Sequence, residues 1–386
     1  MTGSHFFLTL CFGAAFLAWL GVSAYVVVGR AVYDLRGQRL ARARARSTGR
    51  GLSSRALRRA VAAPSDSHAV SLAFAFEAAA TVGTTRLTAR AGSHRSELGK
   101  WRRIEALRIL ALVDEAAAAP LLERALLADE DVATATAAIL GELGSDGAAR
   151  LLAAAIADSN VPDSRLAAQL DSFQRDLSDI VLRLATDPVA ARRYWGVSLL
   201  TRYVDRSDVR RCLCAAAADP NPDVRAAVAE ALGSATTDGL NELDALVRDD
   251  AWFVRVRAAR ALGARHAPGV GATVAPLLAD ENWWVRAAAK DALTSLGPEA
   301  AAAVQLSLSS SDEFARNGAV EVLERIGHVD LVLAEAAAAP YDLRKRSAAQ
   351  AIAAASEDAY RAAVERADPE LRESLLDLVT PIEAAA

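Results

Sequence analysis

A short sequence that recurs about every 30 residues limits the fold of this chain more than any other feature. Its clearest copies are DPNPDVRAAVAEAL (219–232), DDAWFVRVRAARAL (249–262) and DENWWVRAAAKDAL (280–293). In each copy an Asp is followed by Val five residues later and by Arg six residues later, and a Leu follows that Arg by seven residues. A repeat of this length with two helical halves predicts an α-solenoid.

The same register continues on both sides of the three clearest copies, with decreasing fidelity. Well-spaced copies place Arg or Ala seven residues before Leu, at Arg103 and Leu110, Ala133 and Leu140, Arg193 and Leu200, and Arg316 and Leu323. Arg165, Arg344 and Arg372 mark poorer copies. The pattern predicts an all-α solenoid of about ten helix pairs over residues 100–386. The copy around Arg165 has Ser172 where Leu is expected, so the solenoid is expected to bend or break there.

Each repeat has the composition of two helices. The first half is an apolar run such as VGATVAPLLAD (270–280), and the second runs from the Asp to the Leu. Asp219 before Pro220 predicts a helix N-cap followed by proline at the first helical position. Glycines after the second helices predict helix ends at Gly233, Gly263, Gly297 and Gly327.

The pattern D-x-x-x-x-V-R-x-x-A-x-x-A-L resembles bacterial HEAT repeats over about three-quarters of the chain. The resemblance implies that the recurrent acidic and basic residues bond neighbouring repeats, and it assigns this structural role to Asp219, Asp249, Asp280, Arg225, Arg255 and Arg286. It also implies that the second helices line the concave surface of the solenoid.

A helical wheel separates core positions from exposed ones in each second helix. With the repeat Arg as position zero and about 100° per residue, positions −1, +3, +6, +7 and +10 share one side, which is the predicted core. Positions +1 and +5 lie opposite and are predicted to face outward. The distinctive members of the outward surface and its flank are Tyr194, Trp195, Arg257 and Arg260.

Aromatic residues recur just before the repeat Arg. Trp252 and Trp283 occupy position −3, and Phe253, Trp284 and Phe314 occupy position −2. Two interpretations stay open: the rings seal the turns between paired helices, or they form a ridge that binds a partner, since aromatic residues are frequent binding hot spots. The candidate partner-binding residues are Trp252, Phe253, Trp283, Trp284, Tyr194, Trp195, Arg257 and Arg260.

The N-terminal segment 6–28 contains 23 residues without a charge. As a helix it would span roughly 34 Å, enough for a hydrocarbon core of about 30 Å, so it predicts a single transmembrane helix. A cleaved signal peptide is the alternative, but MTGSH lacks the positive charge that such a peptide carries. Arginines that follow the segment predict an outside N-terminus and a cytoplasmic solenoid, and they are candidates for binding membrane headgroups: Arg30, Arg36, Arg39, Arg42, Arg44 and Arg46.

The predicted organisation has five parts. They are a short extracytoplasmic N-terminus (1–5), the transmembrane helix (6–28), an Arg-rich juxtamembrane segment (29–60), a linker or N-terminal cap helix (61–99) and the HEAT-repeat solenoid (100–386). Within 61–99 the run AVSLAFAFEAAA predicts a helix, although its large residues also alternate as in a strand.

The charge of the chain is divided along its length. Residues 30–59 hold ten arginines and one acid, whereas 34 basic and 47 acidic residues lie beyond residue 60, a net charge of −13. An acidic body disfavours nucleic acid as the main partner, because binding phosphates needs a positive surface.

No catalytic motif stands out in the sequence, and its five histidines and three cysteines show no metal-site spacing. We therefore expect no enzyme activity, no cofactor and no small-molecule substrate. The leading hypothesis is a bacterial inner-membrane adaptor that binds a protein partner, itself membrane-associated, at the cytoplasmic face. The alternatives are an accessory subunit of a membrane enzyme, such as an envelope polysaccharide synthase (a glycosyltransferase), or a lyase-like HEAT enzyme.

Overall fold

The computed structural model describes residues 72–92, 97–236 and 239–379. All regular elements in these ranges are helical, comprising 21 α-helices and three short 3₁₀ segments. The helices form two compact units, which divide between Asp176 and Leu177. This boundary follows directly on the degenerate repeat around Arg165.

The first unit contains seven described helices. They are α1 (Leu72–Val82), α2 (Thr84–Gly92), α3 (Glu97–Val113), α4 (Glu115–Leu126), α5 (Glu130–Leu143), α6 (Asp146–Ala155) and α7 (Asp163–Asp171). The run with alternating large residues is therefore a helix, and α1 and α2 pack on α3. The helices α3, α5 and α7 pack in series, with α4 and α6 beside them.

The second unit contains fourteen described helices. They are α8 (Ser178–Ala185), α9 (Ala190–Leu200), α10 (Ser207–Ala216), α11 (Pro222–Gly233), α12 (Leu240–Leu246), α13 (Trp252–Arg265), α14 (Val270–Val274), α15 (Trp283–Leu296), α16 (Ala301–Ser307), α17 (Glu313–Arg325), α18 (Val329–Ala338), α19 (Leu343–Ala355), α20 (Glu357–Arg366) and α21 (Pro369–Val379). The 3₁₀ segments are Thr201–Tyr203, Ala275–Ala279 and Gly297–Ala300.

The second helices of the repeats pack side by side in the second unit, from α9 through α11, α13, α15 and α17 to α19. Each also contacts the first helix of its own repeat. The predicted core positions are buried, as Val254, Ala258 and Leu262 show in α13. Small alanine side chains favour both helix formation and this close lateral packing.

Two of the predicted helix-end glycines lie where neighbouring second helices approach closely, and one of them, Gly233, is also the last residue of α11, as predicted. Gly263 lies inside α13, which continues to Arg265, so the predicted helix end there is wrong. A Cβ atom at Gly263 would lie 2.7 Å from Cα of Ala292 in α15, and one at Gly233 would lie 2.9 Å from Cβ of Ala261 in α13. These glycines therefore allow neighbouring second helices to approach closely.

Gly297 and Gly327 also lie at helix ends, as expected. Gly297 ends α15 with φ of 64°, and Gly327 follows α17 with φ of 68°. Both angles lie in the left-handed region that favours glycine after a helix.

The predicted N-cap of α11 is displaced by two residues. The cap is Asn221, whose side-chain oxygen accepts from the N–H of Asp223 at 2.8 Å, and Pro222 is the first helical residue. Asp219 instead accepts a hydrogen bond from the N–H of Asn221 at 2.8 Å and binds an arginine of the preceding repeat. The proline pair hides this shift in the sequence, because both Asp219-Pro220 and Asn221-Pro222 have the composition of a helix start.

The predicted fold class needs a correction. Among the described helices none is long and apolar enough to cross a membrane, so a solenoid preceded by a transmembrane helix is wrong as a description of this fold. The fold supported by the structure is an all-α arrangement of helix pairs. The segment 6–28 and the juxtamembrane arginines Arg30, Arg36, Arg39, Arg42, Arg44 and Arg46 lie outside the described residues.

Candidate functional site: the exposed aromatic surface and its cleft

Four successive repeats of the second unit are joined by three ion pairs, each between an arginine of one repeat and an aspartate of the next. We call each such ion pair a rung; the rungs are Arg193–Asp219, Arg225–Asp249 and Arg255–Asp280. In each, Nε and Nη2 of the arginine donate to the two carboxylate oxygens. The Nε–Oδ2 distances are 2.7, 2.6 and 2.8 Å, and the Nη2–Oδ1 distances are 3.0, 2.8 and 2.9 Å. This bidentate geometry is the strongest form of such a pair.

The residues of each rung also form hydrogen bonds with the backbone of the turns that precede the second helices. Nη1 of Arg225 donates to the carbonyl oxygen of Asp219 at 2.8 Å, and Oδ1 of Asp249 accepts from the N–H of Ala251 at 2.9 Å. Burial alone would raise the pKa of Asp249, but hydrogen bonds from Arg225 and Ala251 hold that pKa below its usual range. The rungs bond neighbouring repeats, as the resemblance to HEAT repeats implied.

The series of rungs stops at Arg286. Nη1 of Arg286 donates to the carbonyl oxygens of Asp280 at 2.7 Å and Glu281 at 3.1 Å, as in the other repeats. The position of the next aspartate is occupied by Ser310, which has no carboxylate. The guanidinium of Arg286 instead lies over the ring of Phe314, with Cζ 4.2 Å from the ring centroid.

The aromatic residues before the repeat Arg lie at the starts of α13, α15 and α17. We call this set the aromatic surface; it consists of Trp252, Phe253, Trp283, Trp284 and Phe314. The exposed fractions are 43% for Trp252, 58% for Trp283, 55% for Trp284 and 59% for Phe314, while Phe253 is half-buried. Within each repeat the paired rings meet edge to face, with centroids 5.8 Å apart for Trp252 and Phe253 and 4.6 Å apart for Trp283 and Trp284. Four of these five side chains are therefore accessible to a partner.

A cavity of about 240 Å³ lies between α15 and α17, at one end of the aromatic surface. We call it the α15–α17 cleft; it is lined by Leu278, Trp283, Arg286, Ala287, Lys290, Phe314, Asn317, Gly318 and Glu321. A Cβ atom at Gly318 would lie 3.2 Å from Cδ2 of the buried Leu278, so a larger residue at position 318 would fill part of the cleft. Nζ of Lys290 donates to Glu321 at 2.5 Å, so these two charges offset each other.

The width of the cleft follows from the residues along the two helices. In the preceding helix pairs, Gly233 contacts Ala261 and Gly263 contacts Ala292. At the equivalent positions of the next pair, α15 has Thr294 and α17 has Val322. These side chains are larger than glycine and alanine, so the close approach seen between the preceding helices is not repeated. The opening remains lined by polar and aromatic groups.

The other predicted binding residues lie elsewhere on the second unit. Tyr194 and Trp195 are half-buried in α9 and meet edge to face, with centroids 5.0 Å apart. Arg257 is exposed and forms an ion pair with Glu230 of the preceding repeat. Arg260 is exposed on α13. The structure thus brings Trp252 and Phe253 together, and Trp283 and Trp284 together, but leaves Tyr194 and Trp195 in another repeat.

The predicted outward orientation of position +1 is wrong in two repeats. Ala226 and Val256 are both buried, because position +1 of these helices lies against the adjacent second helix. A wheel drawn for one helix shows only its core side and omits its lateral neighbours. Position +5 is exposed at Glu230, Arg260 and Asp291, as predicted.

Several cleft residues were absent from the predicted binding set: Arg286, Lys290, Phe314, Asn317 and Glu321. Arg286 was assigned to the repeat architecture, which holds for its two backbone contacts. The sequence signal that distinguishes it is the serine at 310, in a register where the three preceding repeats have aspartate. The absence of an aspartate at this position is therefore the sequence feature that identifies Arg286 as a candidate binding residue.

A larger cavity, of about 500 Å³, lies in the first unit between α3 and α5 and includes Trp101, Glu105 and Arg108. The guanidinium of Arg108 is buried, with Nε 3.8 Å from a carboxylate oxygen of Glu142 and Nη1 4.0 Å from one of Glu105. Two carboxylates therefore lie near this buried arginine, so the cavity offers no unpaired positive charge at Arg108.

Stacked helix pairs joined by rungs place the second unit in the class of α-solenoids. The family model for HEAT repeats matches residues 177–262 and 240–324, and these residues carry HEAT repeats. No curated protein matches the chain.

Three solved structures show low similarity to this chain. An engineered protein is 17% identical, with 86% of this chain and 96% of that chain covered and a TM-score of 0.34. The complex of CpcE and CpcF of phycocyanin lyase from Nostoc sp. is 17% identical, with 53% and 94% covered and a TM-score of 0.33. Human deoxyhypusine hydroxylase in complex with glycerol is 17% identical, with 64% and 98% covered and a TM-score of 0.27.

Proposed function

We propose that the chain is a non-enzymatic scaffold that binds a protein partner through the aromatic surface. The observation that carries the proposal is the exposure of large rings on three consecutive repeats, Trp252, Trp283, Trp284 and Phe314. Contiguous exposed apolar groups rimmed by charges are typical of protein-binding surfaces. Tryptophan beside arginine is also the composition of interface hot spots. HEAT repeats commonly mediate protein–protein interaction, which agrees with this assignment.

The test compares the recovery of partners by matched aromatic variants of the full chain. We expect the double variant Trp283→Ala and Phe314→Ala to recover at least about tenfold less of one protein from the cells that produce the chain, because hot-spot truncation costs about 2 kcal/mol or more. Recovery is measured by quantitative mass spectrometry. The matched control is Phe76→Ala with Tyr341→Ala, two exposed aromatic residues outside the surface. Equal recovery by both double variants would reject the proposal.

The location of the scaffold stays a prediction. The residues that indicate a bacterial inner membrane and a cytoplasmic solenoid lie in 1–60, outside the described part of the chain. Fractionation of the producing cells tests this location, and recovery of the chain in the soluble fraction would contradict it. If the recovered partner is a membrane enzyme, the chain is an accessory subunit of that enzyme.

A further inference from the structure

Beyond the third rung, the repeat arginines Arg286 and Arg316 have no rung aspartate, and of these two only Arg286 lines the α15–α17 cleft. In Arg193, Arg225 and Arg255 the Nε and Nη2 groups bind the two oxygens of one carboxylate. In Arg286 the contacts of Nη1 with the preceding turn are kept. Within the described residues, no carboxylate lies within ion-pair distance of Arg286, and Nε and Nη2 have no acceptor.

Ser310, at the position of the rung aspartates, keeps their hydrogen bond within the turn but not their ion pair with an arginine. Its Oγ accepts from the N–H of Asp312 at 3.1 Å, just as Oδ1 of Asp280 accepts from the N–H of Asn282 at 2.8 Å. The turn is therefore preserved. What is lost is the negative charge and the second oxygen, which are the groups that an arginine of the preceding repeat would bind.

Phe314 holds the Arg286 guanidinium without using its N–H groups. A cation over an aromatic ring is attracted to the face of that ring, whereas the N–H groups of a guanidinium lie in its own plane. The ring face lies 4.2 Å from Cζ, so it holds the cation, while Nε and Nη2, which have no acceptor within the described residues, stay available for a bidentate ligand. Because both the stack and the Nη1 contacts fix the side chain, little entropy is lost when a ligand binds.

The charge and the volume of the α15–α17 cleft indicate which kind of ligand it binds. Lys290 and Glu321 pair with each other, so Arg286 supplies the excess positive charge of the α15–α17 cleft. A volume of about 240 Å³ admits a side chain and its neighbour but is below the range of roughly 300–1,000 Å³ typical of small-molecule sites. The chain beyond residue 60 has a net charge of −13, which disfavours a doubly charged phosphate relative to a single carboxylate.

We propose that Arg286 binds a carboxylate of the partner, and that the bound segment carries an aspartate or glutamate side chain beside an apolar residue. The carboxylate takes the place that the rung aspartates occupy in the preceding repeats. The apolar neighbour packs on Trp283 and Phe314, which line the same cleft. This inference rests on the proposed scaffold function and names the chemistry of its partner.

The test uses a library of random twelve-residue peptides displayed on phage and selected on the full chain. We expect the enriched peptides to share an acidic residue next to an apolar one. For the tightest peptide, changing its acid to the corresponding amide weakens binding about tenfold, measured by fluorescence anisotropy. Arg286→Gln weakens binding of the acidic peptide by a similar factor. The two changes together cost little more than either alone, because they remove the same contact.

Two further variants separate loss of the site from loss of the fold. Arg316→Gln is the matched control: Arg316 makes the same two contacts with its preceding turn, to Ser310 and Ser311, but does not line the cleft. It should leave peptide binding within about twofold of the parent. In Ser310→Asp the new carboxylate should pair with Arg286 and so occupy the donors that the peptide would bind. Peptide binding should therefore fall about tenfold, while Tm is maintained or rises by about 2 °C.

The outcomes distinguish the inference from the function on which it rests. Peptide binding that depends on Trp283 but is unaffected by Arg286→Gln and Ser310→Asp overturns the carboxylate site and leaves the scaffold function standing. Arg286-dependent binding of acidic peptides, with partner recovery insensitive to the aromatic variants, rejects the scaffold surface and keeps the carboxylate site. Displacement of the peptide by millimolar inorganic phosphate but not by equal acetate overturns the assignment of a carboxylate.

Discussion

At the scale of single residues, the rungs carry the electrostatics of the second unit. Their side chains are largely shielded from water, with exposed fractions of 18% for Arg225 and 8% for Asp249. A shielded charge that loses its partner is costly, because the remaining charge is neither hydrated nor paired. The rungs should therefore be far more sensitive to substitution than the exposed ion pairs on the same helices.

We expect Asp249→Asn to lower the free energy of unfolding by about 2 kcal/mol, because Arg225 loses a charged bidentate acceptor. The control is Asp250→Asn at the next residue, which is exposed and should change stability by less than about 0.5 kcal/mol. Urea unfolding followed by helical circular dichroism gives both values. Equal effects of the two variants would contradict a structural function for the rung.

The rungs also predict how stability depends on pH. Burial acts to raise the pKa values of Asp219 and Asp249, but hydrogen bonds from Arg193 and Arg225 outweigh it and leave both below the usual range. A lowered folded pKa gives stability that is complete above the unfolded pKa of about 3.9 and is lost as the pH falls through the folded pKa. We expect the parent to lose stability below about pH 4, measured by urea unfolding between pH 3 and pH 7.

The double variant Asp219→Asn and Asp249→Asn provides the comparison for this pH series. It lacks the two carboxylates, so its stability should already be low at pH 7 and the difference from the parent should shrink toward pH 3. A difference that stays constant over the whole range would show that the rungs do not contribute through their charge.

At the scale of helices, the spacing between second helices is controlled by small residues. Gly233 and Gly263 permit close approach to the following helix, while Thr294 and Val322 occupy the corresponding positions beside the cleft. The cleft thus lies between the pair of second helices that lacks this glycine–alanine contact. Its chemical character comes from the missing aspartate at Ser310.

We expect Gly263→Ala to lower the free energy of unfolding by up to about 2 kcal/mol. Alanine gains about 1 kcal/mol of helix propensity, but the added Cβ would lie 2.7 Å from Cα and Cβ of Ala292, and such overpacking costs about 1–3 kcal/mol. Gly92→Ala is the control, because a Cβ there meets nothing within 4 Å. A gain in stability at Gly263, measured by urea unfolding, would show that the two helices do not constrain each other there.

The sequence alone predicted the second helices well and the first helices less well. The recurrent Val, Arg and Leu determine one face of each second helix, and Val254, Ala258 and Leu262 are buried as expected. The first half of the repeat before α15 is instead divided into α14 and a 3₁₀ segment, Ala275–Ala279, with Pro276 near its start. Proline interrupts helical hydrogen bonding, an effect that the apolar pattern of this run does not show.

The candidate site could be predicted only in part. The aromatic residues stood out by their register, whereas Arg286 was masked by its likeness to the arginines of the rungs. Whether an arginine is paired depends on a residue in the next repeat, here Ser310, and on how far apart two helices lie. Helix separation depends on packing between repeats, so the periodicity of a single helix does not reveal it.

At the scale of the whole molecule, the chain is organised as two compact helical units, and the HEAT-repeat match falls within the second. That unit contains the rungs, the aromatic surface and the α15–α17 cleft. Repeat proteins are stabilised by contacts between nearest neighbours, so a local exception need not disturb distant repeats. The missing rung at Arg286 can therefore provide a binding site at modest cost to the stability of the unit.

Photo-crosslinking in the producing cells tests this account most directly. A benzophenone amino acid replaces Trp284, which is exposed beside the cleft, and a second chain carries it at Tyr341 as the control. We expect position 284 to crosslink to one protein, Ser310→Asp in the same chain to abolish this crosslink, and position 341 not to form it. The same crosslink from both positions, or its persistence after Ser310→Asp, would rule out partner binding at the α15–α17 cleft.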